Sequence, residues 1–204
     1  MGYRTPRGER TAEIEIKRSR FIARIAHVET EAEARAVIEE ERSLHPKARH
    51  HCSAFVLDPD SRTQRFSDDG EPSGTAGAPI LEVLTGHGLT YVVAVVTRYF
   101  GGTLLGAGGL VRAYGGAVSE ALDGLPVEER ELRTPIVVDL DYAKASAVTL
   151  AAEQQGWRIT DSEYGASVRH TLAVPPEEVE RALAVLADLS AGAAEPEVGA
   201  AGYF

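Results

Sequence analysis

Charged and apolar residues alternate over Thr11–Ile16 and again over Arg20–Val28, the period-two pattern of strands with one buried face. The pattern then changes to a helical one. Thr30 and Glu33 form a capping box, and Ala34, Val37, Ile38 and Leu44 fall on one helical face before Pro46 ends the run. His50–Leu57 reads as a further strand, with Arg65–Ser67 returning beside it. A short helix is expected near Ala76–Leu84, with Pro79 in its first turn and Gly86 past its end. Tyr91–Phe100 is almost unbroken apolar sequence, which predicts a central strand buried on both faces. The loop Gly101–Leu105 feeds a long helix that runs to about Asp123.

Gly124, Pro126 and the charges of Glu128–Arg130 mark a boundary. Beyond it the order is strand Pro135–Asp141, helix Tyr142–Gln155, strand Trp157–Glu163, turn at Gly165, strand Ser167–Val174, helix Glu177–Leu189 and a last strand near Glu197–Phe204. That βαββαβ order is the ferredoxin-like split motif. The fold class is therefore α+β in two domains, residues 1–126 and residues 127–204, with no internal repeat.

Composition narrows the functional classes. No run approaches the roughly 18 apolar residues a membrane helix needs, so no membrane partner is expected. The start is charged, with Arg4, Arg7, Glu9 and Arg10, and Pro6 breaks the myristoylation pattern. One cysteine, Cys52, excludes an internal disulfide and suits a reducing compartment. A cytoplasmic location follows as the expectation. The net charge of −10 is uneven: residues 1–126 carry 15 Lys/Arg against 17 Asp/Glu, and residues 127–204 carry 6 against 14. Residues 42–65 are locally basic, and residues 83–119 contain Arg98 and Arg112 but no carboxylate. Global acidity opposes non-specific nucleic-acid binding, whereas a local phosphate-facing patch is compatible with these figures.

Ten of the 20 glycines sit in two runs, Phe66–Gly77 and Thr97–Gly116. On the second helix Arg112 has Gly108, Gly109, Gly115 and Gly116 as its neighbours one turn away. A mid-helix glycine costs about 1 kcal/mol relative to alanine, so an offsetting benefit is expected. Two readings stand: a bare face open to phosphate, nucleic acid or a partner chain, or close helix packing with Arg112 snorkelling outward. The loops around Ser73, Gly74 and Thr75, and around Gly101 and Gly102, each deliver backbone amides to a helix start. No phosphate-binding Gly-x-x-x-x-Gly-Lys motif is present, and Gly106–Val111 departs from the dinucleotide fingerprint.

Asp68, Asp69 and Glu71 offer oxygen ligands to Mg²⁺, or else cap the following helix. His50 and His51 alternate across a strand and point to opposite faces, so with Cys52 they make no metal site by themselves. Cys52 reads as a small core residue. No nucleophile elbow surrounds Ser73 or Thr75, and no catalytic residue is assigned. Tyr142, Trp157 and Tyr164 are expected in the core or at a hinge.

Phe66–Gly77 with Pro79-Ile80-Leu81, the run Arg98–Gly116, Lys17-Arg-Ser-Arg-Phe-Ile22 and His45-Pro-Lys-Ala-Arg-His-His-Cys52 together resemble the YigZ/IMPACT family over nearly the whole chain. The resemblance implies an N-terminal domain similar to the second domain of a small-subunit ribosomal protein and a ferredoxin-like C-terminal domain, a pair similar to the last two domains of elongation factor G. It also implies a translation regulator. Eukaryotic relatives act by protein competition through an additional N-terminal domain. This chain is expected to begin directly with the strand at Thr11, so that mechanism is not carried over. The favoured expectation is binding of RNA or the ribosome, with Arg49, Arg98, Arg112 and the loop amides meeting phosphates. A metal-dependent enzyme acting on a phosphorylated or peptide substrate through Asp68, Asp69 and Glu71, and a protein-interaction module using the Gly/Arg112 face, are the alternatives.

Overall fold

The alternating segments assemble into two sheets. The computed structural model describes residues 2–204, which divide into a unit of Tyr3–Glu129 and a unit of Arg130–Phe204 together with Gly2. Along the chain come strands β1 (Gly2–Pro6), β2 (Glu9–Ile16) and β3 (Ser19–His27), helix α1 (Glu31–Leu44), strands β4 (His50–Leu57) and β5 (Thr63–Ser67), helix α2 (Gly77–Gly86), strand β6 (Val92–Tyr99) and helix α3 (Ala107–Leu122). Thr30 caps α1 through its hydroxyl, which accepts from the Glu33 amide at 3.2 Å, and the Glu33 carboxylate accepts from the Glu29 amide at 2.7 Å.

Five strands form an antiparallel sheet in the order β2-β3-β6-β4-β5. β6 is central because its run Val92–Val96 is apolar on both faces. Val92, Ala94 and Val96 join the core beneath α2 and α3, with Ile80, Leu84, Ala113 and Tyr114. Val93 and Val95 face α1 in a second, smaller core with Val28, Ala34, Phe55 and Leu57.

The remaining elements are β7 (Val127–Leu140), α4 (Tyr142–Gln155), β8 (Arg158–Tyr164), β9 (Val168–Val174), a 3₁₀ turn at Pro176–Glu178, α5 (Val179–Ser190), β10 (Glu197–Val198) and β11 (Gly202–Tyr203). β9 lies between β7 and β8, and β10 and β11 pair with β7, all antiparallel. Last strand, first, third, second is the ferredoxin-like arrangement. Ile136, Val138 and Leu140 alternate inward from β7 onto Trp157, Leu172 and Leu186. Asp141 caps α4, and Gly156 ends it in the left-handed conformation at φ +73°.

Four local expectations change. β1 is an unanticipated strand, too short and too rich in Gly and Pro to show a period. The strand expected at Pro135–Asp141 begins earlier, at Val127, so Glu128–Arg130, where the two units divide, lies inside β7. The last strand is split because Gly199 falls opposite Pro135, which has no amide to extend the ladder, and the register slips by one residue beyond it. Trp157 is buried, but Tyr142 and Tyr164 are exposed, the former donating to the Gly165 carbonyl at 2.8 Å.

Candidate functional site

The two glycine-rich runs meet at Arg98. This residue leaves β6 on the face covered by α2 and α3, and its guanidinium Nη1 donates to Glu71 Oε1 at 2.6 Å. Both side chains are almost fully buried, 7% and 5% exposed. The Tyr114 hydroxyl on α3 donates to the same Glu71 oxygen at 2.7 Å. Arg98 also lies between two rings, its Cζ 5.4 Å from the Phe21 centroid and 5.6 Å from that of Phe100. Its Nε is buried with no hydrogen-bond partner. Arg98 therefore ties the 66–77 loop to β6 and α3 and is not available to a phosphate in solution. That corrects the sequence expectation, because a partner 27 residues away in the chain closes over it.

The carboxylates are likewise engaged. Asp68 accepts from the backbone amides of Gly74, Ala76 and Gly77 at 2.8, 3.0 and 2.8 Å, so it supplies the anion at the start of α2 from within the chain. Asp69 accepts from Arg42 at 2.6 Å and from the His51 amide at 2.6 Å. With Glu71 on Arg98, the three proposed Mg²⁺ ligands turn to three different sets of donors, and no cluster of three metal-ligating side chains occurs among the described residues. The Thr75 hydroxyl donates to the Pro72 carbonyl at 2.6 Å, and the Gly74 amide is held by Asp68; only Ser73 of that trio is exposed and unengaged.

Burial works to raise the Asp68 and Asp69 carboxyls. The backbone amides at Asp68, and Arg42 with the His51 amide at Asp69, outweigh it and hold both below their ordinary value. A folded-state pKa below the unfolded one stabilises the protein above the unfolded value, near 3.9, and that stabilisation is lost as pH falls through the folded value. Denaturation midpoints should therefore fall below about pH 4, and Asp68→Asn should show a shallower acid limb than the wild type.

The neighbouring histidines and cysteine are structural. The Asp69 carbonyl lies 2.8 Å from His50 Nδ1, and Thr97 Oγ1 lies 3.0 Å from His51 Nδ1. Burial, then the charge of Arg42, lowers the His51 pKa. Burial pushes the Cys52 thiol up to about 12, so no thiolate is present near neutral pH.

The open chemistry lies where β6 leaves the sheet. Register places Arg20 and His50 on either side of Tyr99 and Arg98, so the β2–β3 turn flanks one side of this exit and Arg49 the other. That turn is Lys17-Arg18, both exposed and both with positive φ, +48° and +66°. A two-residue hairpin of this kind favours Asn-Gly, and two long cations here are an uncommon and strained choice. Gly101 packs against it so closely that a β-carbon would overlap the Arg18 carbonyl carbon and oxygen. The Gly101 amide donates to Ser19 Oγ at 3.1 Å, and Arg18 Nη2 donates to Thr103 Oγ1 at 3.1 Å. Gly102 and Gly106 turn the loop at φ +83° and +75°.

α3 starts here with no side-chain cap and no acidic residue in its first turn. The Arg112 and Arg49 side chains are exposed and make no hydrogen bond or ion pair among the described residues. The four glycines around Arg112 do not share one environment. Gly108 is exposed, and a β-carbon there would meet only the Arg112 guanidinium, at 3.6 Å. Gly109 turns toward Leu105, Gly115 toward Val83 on α2, and Gly116 toward Ile14 on β2. Added methyls at Gly115 and Gly116 would meet only ordinary contacts, at 3.6 and 3.8 Å. The face is thus open at its N-terminal end and lightly covered at the other. Phe100 and Leu104, in the connection that leads into α3, are 53% and 82% exposed.

Profile comparison gives the decisive match: the Impact N-terminal domain aligns with residues 17–122, more than half of the chain. The chain belongs to the IMPACT family. A second profile, the domain of unknown function DUF1949, matches residues 138–193. IMPACT family member YigZ of Escherichia coli is 44% identical over 87% of this chain and 88% of its own. YvyE of Bacillus subtilis is 39% identical over 94% and 88%, and a Haemophilus influenzae IMPACT family member 41% over 93% of each. A crystal structure of a hypothetical protein shares 42% identity and a TM-score of 0.64 over 96% of each chain. Every residue of the open rim, from Lys17 to Arg112, lies inside the Impact N-terminal match. Sequence reasoning chose Arg49 and Arg112 and missed Lys17, Arg18, Phe100 and Leu104 as site residues. The available signal for the first two was a pair of cations in a two-residue turn lacking Asn and Gly.

Proposed function

We propose that this IMPACT family member acts in translation by binding RNA, free or in the ribosome, through the rim formed by Lys17, Arg18, Arg49 and Arg112 with the loop around Gly102 and the start of α3 around Gly108 and Gly109. The supporting observation is Arg112, exposed and without a carboxylate partner on a helix whose first turn carries no acidic residue. A guanidinium so placed meets a phosphate without first giving up an ion pair. Arg49 adds a second on the far side of the β6 exit, and the acidic second half disfavours contact elsewhere. In the 66–77 loop, Asp68 already occupies the Gly74 amide that a phosphate would seek. The metal-enzyme alternative draws no support from three carboxylates already held by Arg98, Arg42 and backbone amides.

Affinity for RNA should fall steeply with salt. Arg112→Ala and Arg49→Ala should each weaken binding and flatten the log–log salt dependence by about 0.7. Fluorescence anisotropy between roughly 50 and 300 mM salt measures this. Affinity that is absent, or that stays level across that range, would remove the proposal.

A further inference from the structure

We infer that the rim takes a single-stranded nucleic acid, with an unstacked base laid on Phe100 and a further contact at Leu104, rather than a duplex. This deepens the phosphate-binding reading and rests on it. Phe100 stands directly after β6 and is 53% exposed, while its other side meets Arg98, whose Cζ is 5.6 Å from the ring centroid. Arg98 is in turn fixed by Glu71 and by Phe21. The ring is therefore backed by a buried cation and presented outward, so a base that stacks on it orders little that is not already ordered. Leu104, 82% exposed, projects from a loop whose course is set by positive-φ glycines at 102 and 106.

Nothing in the folding of this unit requires two large apolar side chains outside the core here, since α2 and α3 already cover that face of the sheet. Charge decides what covers them. Lys17 and Arg18 flank the β6 exit on one side, Arg49 on the other, and Arg112 lies beyond on α3. Of the carboxylates on β2 and in the loop, Glu13 is engaged by Arg20 at 2.7 Å and Glu71 by Arg98, so that exposed Glu15, opposite Arg20 in register, is the one set against four cations there. An apolar protein partner would leave four cations unmatched. A strand of nucleic acid offers alternating phosphates and flat faces, matching both kinds of group. A duplex buries those faces within its own stack and offers only the phosphates.

The test compares one labelled oligoribonucleotide free of secondary structure with the same sequence annealed to its complement, both at matched salt. The single strand should bind at least about tenfold more tightly, and Phe100→Ala should weaken it by about 5- to 150-fold with little effect on the duplex. Phe100→Tyr, which keeps the ring, should restore binding. Leu104→Ala, at a position too exposed to disturb folding, should weaken the single strand selectively. Equal binding of strand and duplex, with Phe100→Ala and Leu104→Ala neutral while Arg112→Ala still weakens both, overturns the stacking inference and leaves the phosphate reading standing. Absence of binding to either form by the wild type overturns both. Variants that abolish binding of a protein partner but not of the oligonucleotide assign the apolar pair to that partner and overturn the inference.

Discussion

Arg98→Ala is expected to destabilise the N-terminal unit by about 3–5 kcal/mol, the range seen when one member of a buried ion pair is removed. The cost arises chiefly from what remains. Glu71, 5% exposed, would keep a charge with only the Tyr114 hydroxyl to balance it, and the space between Phe21 and Phe100 would lose its filling. Arg98→Met combined with Glu71→Gln should recover most of the loss, because a neutral amide still accepts from Tyr114 and a thioether can lie between the rings. Urea denaturation of the single and double variants measures both. A double variant no more stable than Arg98→Ala would show that the pair stabilises by its charge rather than by avoiding an orphan. The consequence for function is indirect: without Arg98, Phe100 loses its backing and the 66–77 loop its tie to β6.

The second large effect is expected at Gly101. Its conformation is open to any residue, but a methyl there would collide with the Arg18 carbonyl and the Ser19 amide nitrogen. Both neighbours are backbone, and the hairpin carrying them is pinned from Arg20 to His27 by β6. Gly101→Ala should therefore cost about 3 kcal/mol, the upper end of what overpacking costs, and displace the Lys17-Arg18 turn. Gly115→Ala and Gly116→Ala should act in the opposite sense. Both positions are mid-helix and have ordinary contact room, so each substitution should stabilise by up to about 1 kcal/mol. Midpoints of urea unfolding for the three variants test the contrast. Destabilisation at Gly115 and Gly116 as well would mean that α3 packs more tightly than its neighbours' positions indicate.

These three glycines look alike in the sequence, each in a Gly-Gly pair within one motif. One is required by the backbone of a turn more than 80 residues earlier, at Arg18 and Ser19, and the other two are not required by any contact inside the chain. Helical periodicity identified the pairs that share a face with Arg112, but it could not say which side of that face another element covers. The same limit applied to the carboxylates. Asp-Asp-Gly suited a helix cap, and Asp68 does hold the start of α2, yet Asp69 and Glu71 turn to Arg42 and Arg98, one on α1 and the other on β6.

Local chemistry written in the chain determined the elements: the capping box at Thr30, the run Val92–Val96 that must be buried on both faces, the glycine that ends α4, and the βαββαβ order of the second half. Each depends on residues within a turn or two of one another, so spacing alone reveals it. Which charges remain free was decided only by the tertiary structure. Arg98 and Arg112 occupy the same carboxylate-free segment, but folding brings Glu71 and Tyr114 over the first and leaves the second in water. Burial and pairing are long-range properties, set by which strands and loops become neighbours, and no local pattern encodes them.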